Sequence, residues 1–183
     1  FLFGKLARDL VEVRGLSRYR GRVYHTLGTH VLAWTEHVEN ALASERRGVA
    51  LMQESGDVAY VSFGLIGIGA HMISTAEPLD RVQSTIEDAL AVVRQGNFVI
   101  AVDACVGQLR LVRALRGERT DPCSLEDVRG WTKEHPGPGL THGWYWIRVL
   151  QTCFLFGDAE AARTAAKNAD PFIGLTGSFF EIA

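Results

Sequence analysis

The 183-residue chain lacks most of the motifs by which a sequence indicates chemistry. Its three cysteines are widely spaced and it contains no C-x-x-C or H-x-x-x-H pair, so a metal site built from paired ligands is not expected. The G-x-x-x-x-G-K-[ST] phosphate loop is absent, as are the H-R-D and D-F-G signatures of protein kinases. We therefore expect no catalytic residue, metal or cofactor within this chain.

The chain also has little net charge and no apolar run long enough to span a membrane. The formal net charge is −2 and the isoelectric point is near 6.3, whereas nucleic-acid-binding domains usually carry a strong basic excess. The longest apolar stretch falls short of the ~20 residues of a membrane-spanning helix and contains Ser62 and His71. An odd number of scattered cysteines is typical of reduced, buried thiols. We expect a cytoplasmic protein with neither nucleic acid nor membrane as partner.

What is present is an alternation of two kinds of helical segment. Residues 58–73 are apolar on every side, and they follow residues 38–54, which are apolar on one side only. A helix that is apolar all round must be enclosed by neighbours, so its one-sided neighbour is expected to form a wall. Two further pairs repeat this pattern: 79–95 with 98–115, and 143–156 with 159–167. Such alternation is typical of stacked helical repeats, which bind and position partners.

Short polar segments between these helices predict tight turns. Ser55-Gly56-Asp57, Gln95-Gly96-Asn97 and Gly157-Asp158 each place a glycine beside a helix end, with an aspartate N-cap in the first and last. Ser124 with Asp127 predicts a short extra helix, and residues 135–139 a loop. The glycines Gly64, Gly67 and Gly69 predict close helix packing, because their order is not that of a dinucleotide-binding loop.

The repeat lengths drift along the chain. Matching positions at Tyr24, Tyr60, Ile100 and Tyr145 are 36, 40 and 45 residues apart, unlike the regular period of about 34 in tetratricopeptide arrays. The sequence therefore predicts an all-α fold, a divergent tetratricopeptide-like right-handed stack of antiparallel helical hairpins. We expect a single domain over residues 1–183 with roughly nine or ten helices, at one per ~18 residues.

Two groups of side chains are candidates for an interaction surface. An aromatic cluster with an arginine is suited to a binding groove, although on an inner helix such residues more often fill the core. Its members are Trp34, Trp144, Tyr145, Trp146 and Arg148. The second group steps by three along the predicted outward side of one helix and is suited to an acidic partner, or simply forms a solvated face. It contains Arg110, Arg113 and Arg116, followed by Arg119.

The histidines are not arranged for catalysis. His37 lies at the head of a predicted helix in a string like a phospho-acceptor box, but the chain has no ATP-binding domain to serve it, so a capping or interhelical hydrogen-bonding role is favoured. His25, His30, His71 and His142 lie singly in apolar helices, and we interpret them as structural.

Several strings resemble the helical-repeat region of large bacterial multidomain signalling proteins. These strings occupy residues 22–42, 54–63, 107–117, 144–158 and 178–183. In such proteins the region follows a serine/threonine-kinase-like domain and an AAA-type ATPase, and precedes a GAF sensor and a histidine kinase. The resemblance implies a cytoplasmic scaffold that contacts proteins or neighbouring domains of its own chain, while kinase and ATPase activities belong to other domains. The opening at Phe1 and the end at Ala183 agree with a piece of a longer protein.

Two functional hypotheses follow. The first is a non-catalytic helical-repeat scaffold or regulatory segment that mediates protein–protein or interdomain interaction in signal transduction. The alternative is a small-molecule sensor or an unrecognised enzyme, with a pocket around Trp34, His37, Trp144 and Arg148. Scattered, individually packed positions for these four side chains would argue against the alternative.

Overall fold

The computed structural model describes residues 2–119, 121–124, 130 and 139–176, and all regular secondary structure within these ranges is helical. This confirms the predicted all-α class. A 3-10 turn, Ser17–Tyr19, precedes α2, and a π-helical segment, Gly28–Leu32, follows it. The α-helices are α1 Leu2–Val13, α2 Arg20–Leu27, α3 Ala33–Thr35, α4 Val38–Glu54, α5 Val58–Ser74, α6 Leu79–Gln95, α7 Val99–Leu115, α8 Leu140–Leu155 and α9 Ala159–Thr176.

The predicted helical segments agree closely with these bounds. Both α4 and α6 span the predicted residues, α5 is one residue longer, and α9 continues well beyond the predicted end at Lys167. The short helix predicted from Ser124 and Asp127 and most of the loop 135–139 lie outside the described residues.

One type of turn follows four of the long helices, α4, α6, α7 and α8. After α4, the Asp57 amide donates to the Met52 carbonyl at 2.9 Å and the Gly56 amide to Gln53 at 3.1 Å, while Gly56 has φ of +72°. This is a Schellman turn, which needs one residue in the left-handed region. The same pair of bonds recurs with Asn97, Gly117 and Gly157 at the left-handed position. Repetition of one turn folds the chain into antiparallel hairpins.

The aspartates of two turns act differently, although the sequence predicts the same role for both. Asp158 caps α9, because its Oδ1 accepts the Ala161 amide at 2.9 Å. Asp57 makes no side-chain cap for α5; its carboxylate instead accepts a hydrogen bond from Arg22 Nε at 2.6 Å. Asp57 thus occupies the predicted N-cap position, but its side chain makes no capping hydrogen bond because the carboxylate is engaged by Arg22 of α2.

The main core lies between α4, α5, α6 and α7. As predicted, α5 is the enclosed helix, packed against all three of these neighbours. Trp144 from α8 completes this core, and a second cluster joins α8 to α9. The fully buried members of the main core include Met52, Met72, Val82, Ile86, Cys105 and Val112.

The glycines of α5 permit this close packing. A Cβ built on Gly64 would lie 2.5 Å from Val49 Cγ2, and one on Gly67 would lie 2.8 Å from Glu45 Oε1. Real Cβ atoms do not approach this closely, so α4 can lie against α5 only because these positions lack side chains. The close packing predicted from the glycines is confirmed here.

We predict that Gly67→Ala destabilises the protein by about 1–3 kcal/mol, because the new methyl group must displace a carboxyl group that is already held in place. Gly107→Ala in α7 is the matched control, since its Cβ would be 3.6 Å from the nearest atom, Arg148 Cγ. There we expect no loss, or a gain of up to about 1 kcal/mol from helix propensity. Urea unfolding of both variants measures the difference, and equal effects would contradict the prediction.

Candidate functional site

The side chain of Glu45 on α4 has no solvent exposure, which is uncommon for a glutamate. Its Oε2 lies 2.9 Å from His25 Nδ1 on α2, and its Oε1 accepts a hydrogen bond from the Thr29 hydroxyl in the π-helical segment. Both partners are themselves buried. A buried carboxyl group is tolerated when it is hydrogen-bonded on both oxygens, as it is here.

Backbone geometry makes room for this carboxyl group. A Cβ on Gly28 would lie 2.9 Å from Glu45 Cγ, and Gly67 approaches the carboxyl group from the α5 side. Glycine therefore lies where the π-helical segment and α5 each face Glu45. The π-helical segment begins at Gly28, and π-helical turns place side chains where a regular α-helix would not. We name Glu45, His25 and Thr29 the Glu45 cluster.

His71 on α5 lies close to this cluster. Burial lowers the pKa of His71 to about 4. A hydrogen bond to the Gly67 carbonyl acts in the opposite direction, and the neighbouring His25 lowers the pKa further. The imidazole is therefore neutral at pH 7. A neutral buried histidine agrees with the structural role predicted for it.

A cavity of about 250 Å³ lies between α1, α2 and α4. Its apolar lining comes from Leu27, Val31 and Leu32, and the ring of Tyr24 contributes to it as well. Polar side chains line the rest: Lys5, Arg8, Glu36, Asn40, Ser44 and Arg47. An apolar pocket with a few convergent polar groups is the usual form of a small-molecule site. We refer to it as the α1–α4 cavity.

The charges at one end of this cavity are organised around Tyr24. Its hydroxyl donates to Glu12 Oε1 at 3.0 Å, and the Arg47 guanidinium lies 4.2 Å from the centre of its ring. Arg47 also pairs with Glu12 at 3.1 Å, and Arg20 does so at 3.2 Å. Burial and the bond to Glu12 raise the pKa of Tyr24, so the phenol stays protonated at neutral pH.

The outer side of α1 carries an uncovered apolar surface. Five large apolar side chains there are between 38% and 86% exposed, although α1 has only 12 residues. We name this the α1 outer face; it consists of Leu2, Phe3, Leu6, Leu10 and Val13. A smaller apolar patch, Phe154, Leu155 and Phe156, is exposed at the turn between α8 and α9.

The predicted aromatic cluster does not form a groove. Trp144 and Arg148 are 5% and 4% exposed, in the core beside α7, whereas Trp34 on α3 is about half exposed. Trp146 is partly buried against the α8–α9 cluster. The cavities in the α1–α2–α4 region are lined by none of these residues. Of the two interpretations left open for the α8 aromatics, the structure supports core packing.

His37 acts as the predicted cap. It occupies the N-cap position of α4, where Nδ1 accepts the Glu39 amide at 3.4 Å, and it is well exposed. The pocket expected around Trp34, His37, Trp144 and Arg148 therefore combines two surface residues with two core residues.

The predicted arginine surface on α7 is correct only in part. Arg110 is buried rather than outward-facing, because its guanidinium donates to the Tyr145 hydroxyl and to the carbonyls of Pro122 and Ser124, each at 3.4 Å. It therefore ties α7 to α8 and to residues 121–124. Arg113 is exposed as predicted, but it pairs with Glu87 at 2.8 Å, an intramolecular ion pair between α7 and α6.

The cysteines agree with the prediction of buried thiols at two of three positions. Cys105 and Cys153 are fully buried, and burial raises the pKa of each to about 12, which keeps the thiols protonated; Cys123 is partly exposed. No cluster of three or more His, Cys, Asp or Glu side chains suited to a metal ion occurs in the described ranges. Within the same ranges, no helix combines the length and apolar character needed to cross a membrane.

Comparison with known proteins leaves the chain without an assigned relative. No protein-family model, curated protein or solved structure matches it.

Sequence reasoning missed the Glu45 cluster, the α1–α4 cavity and the α1 outer face. For α1 a signal was available, since its apolar residues cover too wide an arc for one contact face. Glu45 gave no signal, because a glutamate in a one-sided helix is ordinarily assigned to the solvent side.

We predict that stability falls on acidification partly through His71. Its folded-state pKa of about 4 lies below the ordinary 6.5, so protons bind preferentially to the unfolded chain as the pH falls from 6.5 toward 4. The full effect is on the order of 3 kcal/mol, and it is absent above pH 6.5. Urea unfolding from pH 7 to pH 4 should show a shallower pH dependence for His71→Gln than for wild type. His37→Gln, at an exposed site, is the control; an unchanged slope in His71→Gln would refute the assignment.

Proposed function

We propose that this chain is a non-catalytic helical-repeat scaffold that binds a protein partner through the α1 outer face. The observation that carries the proposal is the presence of two apolar faces on one short helix. Gly4, Ala7 and Val11 turn toward α2, and Val11 is buried. The outer face lies on a separate arc, so the packing against α2 leaves it uncovered.

The size of this uncovered surface favours an interaction. Five large apolar side chains at three- and four-residue spacing form a continuous stripe along the helix. Single exposed apolar side chains are ordinary on a protein surface, whereas a contiguous apolar patch is often functional. Its burial against a partner is worth roughly 25 cal/mol per Å².

Shape and charge together favour an acidic amphipathic helix as the occupant. Beside the outer face, α1 and α2 enclose an apolar groove of about 310 Å³, lined by residues that include Ala7, Val23 and Thr26, with Arg22 among them. Residues 1–22 contain six Lys or Arg and two Asp or Glu, a net charge of +4, whereas the rest of the chain sums to −6. A helix with an apolar stripe would extend the stack, and acidic flanks would match the basic excess of residues 1–22.

We also propose that the helical hairpins stack in the way that the repeat pattern predicts. Antiparallel hairpins joined by one turn type support a divergent tetratricopeptide-like right-handed stack. In the setting that the sequence resemblance implies, the partner helix belongs to a neighbouring domain of a bacterial signalling kinase. That setting, and a cytoplasmic location, are predictions from the sequence strings.

The direct test uses a designed peptide helix with leucines at i, i+3, i+4 and i+7 and glutamates on the flanks. Fluorescence anisotropy should show binding to wild type and a loss of at least about tenfold in Phe3→Ser/Leu6→Ser. Phe154→Ser is the matched control, because it removes an equally exposed aromatic from the α8–α9 turn. A peptide with lysines in place of the glutamates should bind more weakly.

Three results would overturn the proposal. The first is absence of glutamate-peptide binding at millimolar concentration, the second is equal loss in the Phe154→Ser control, and the third is tighter binding of the lysine peptide. Hydrolysis of ATP by the purified 183-residue chain would contradict its non-catalytic character.

A further inference from the structure

We propose that the α1–α4 cavity binds a small organic carboxylate with a short apolar body. This site is separate from the α1 outer face, because it opens on the opposite side of α1. Lys5 and Arg8 line the cavity, whereas Phe3 and Leu6 lie on the outer arc. The proposal goes beyond the scaffold function and does not depend on it.

The cavity is polarised along its length. Its apolar part is formed by Leu27, Val31 and Leu32, the last two from the π-helical segment. At the other end, Arg8 and Arg47 lie near the hydroxyl of Tyr24, and the charges of both arginines act on that group. A ligand with an apolar body and one charged end therefore has a single preferred orientation.

The charged side chains around the α1–α4 cavity favour an anionic ligand. Glu12 is the acceptor at this end, and it is already shared by Tyr24, Arg20 and Arg47. The neighbouring pair between Arg8 and Asp9 is 3.9 Å long and exposed, so it competes weakly. Glu36 at the far side of the cavity accepts a hydrogen bond from Asn40 at 2.9 Å. Because Arg47 is engaged with Glu12, Arg8 is the basic side chain of the lining that we assign to the ligand.

The volume of the α1–α4 cavity limits the size of the ligand. At about 250 Å³ the cavity is smaller than the roughly 300–1,000 Å³ typical of sites for drug-sized molecules. Arginine recognises a planar carboxylate with two parallel hydrogen bonds, which a compact monocarboxylate can satisfy at the Arg8 end. A straight-chain carboxylate of intermediate length fits both the volume and the apolar lining.

Octanoate is the test ligand, and 1-octanol is its neutral counterpart. Ligand-observed NMR on the full chain should detect octanoate binding that weakens between 50 and 500 mM KCl, since salt screens the contribution of the arginines. Arg8→Gln should weaken octanoate binding about tenfold and leave octanol binding unchanged. Arg163→Gln, at an exposed site on α9, is the charge control.

A second pair of variants tests whether octanoate binds in the α1–α4 cavity. Ala43→Leu fills the cavity from α4 and should weaken octanoate binding at least about tenfold. Ala50→Leu adds the same side chain at an exposed position on the same helix and should bind as wild type does. Folding of each variant is checked by its urea midpoint.

Several outcomes would overturn the inference. They are absence of octanoate binding at millimolar concentration, equal binding of octanoate and octanol with no salt dependence, and equal effects in Ala43→Leu and Ala50→Leu. Loss of octanoate binding in Phe3→Ser/Leu6→Ser with retention in Ala43→Leu would place the ligand on the α1 outer face, which also contradicts the proposal.

Discussion

The buried carboxyl group of Glu45 is the constraint on which the N-terminal half of this structure depends. Its oxygens accept hydrogen bonds from His25 on α2 and from Thr29 in the π-helical segment. The same carboxyl group lies against Gly67 of α5. Removal of one partner leaves a buried polar group without its hydrogen bond, which costs about 1–3 kcal/mol. These bonds join α4 to α2 and to the π-helical segment, and the close approach of Gly67 brings α5 against the same carboxyl group. The three helices therefore have little freedom to slide past one another.

The α1–α4 cavity and the α1 outer face depend on the helix positions that the Glu45 cluster holds. The π-helical segment that supplies Thr29 also supplies Val31 and Leu32 to the α1–α4 cavity. The side chain of Ser44, next to Glu45 in the sequence, donates to the Tyr24 carbonyl at 2.7 Å and so holds the cavity floor on α4. α1 rests on α2 and is held at its far end by the ion pairs of Glu12, which leaves its outer face free to meet a partner.

The sequence predicts the helices of this fold well, because the relevant signals are local. Glycine or asparagine determines the turns after α4, α6, α7 and α8. The apolar pattern, one-sided in α4 and all round in α5, distinguishes these two helices. The sites are less predictable, since they depend on which side chains meet in space. Arg110 follows the spacing of an outward face, yet the segment 121–124 folds over it and supplies carbonyl acceptors. Glu45 is buried only because glycines on two other helices make room for it.

A double-mutant cycle between His25 and Glu45 tests the central role of the Glu45 cluster most directly. His25→Gln, Glu45→Gln and the double variant should give a coupling free energy well above 1 kcal/mol in urea unfolding, on the order of that for other buried networks. The exposed pair of Arg113 and Glu87, 2.8 Å apart, is the reference and should couple by less than about 1 kcal/mol. Equal coupling in the two pairs would contradict the account, because Glu45 would then be an ordinary contact rather than the group that fixes α2, α4 and α5 together.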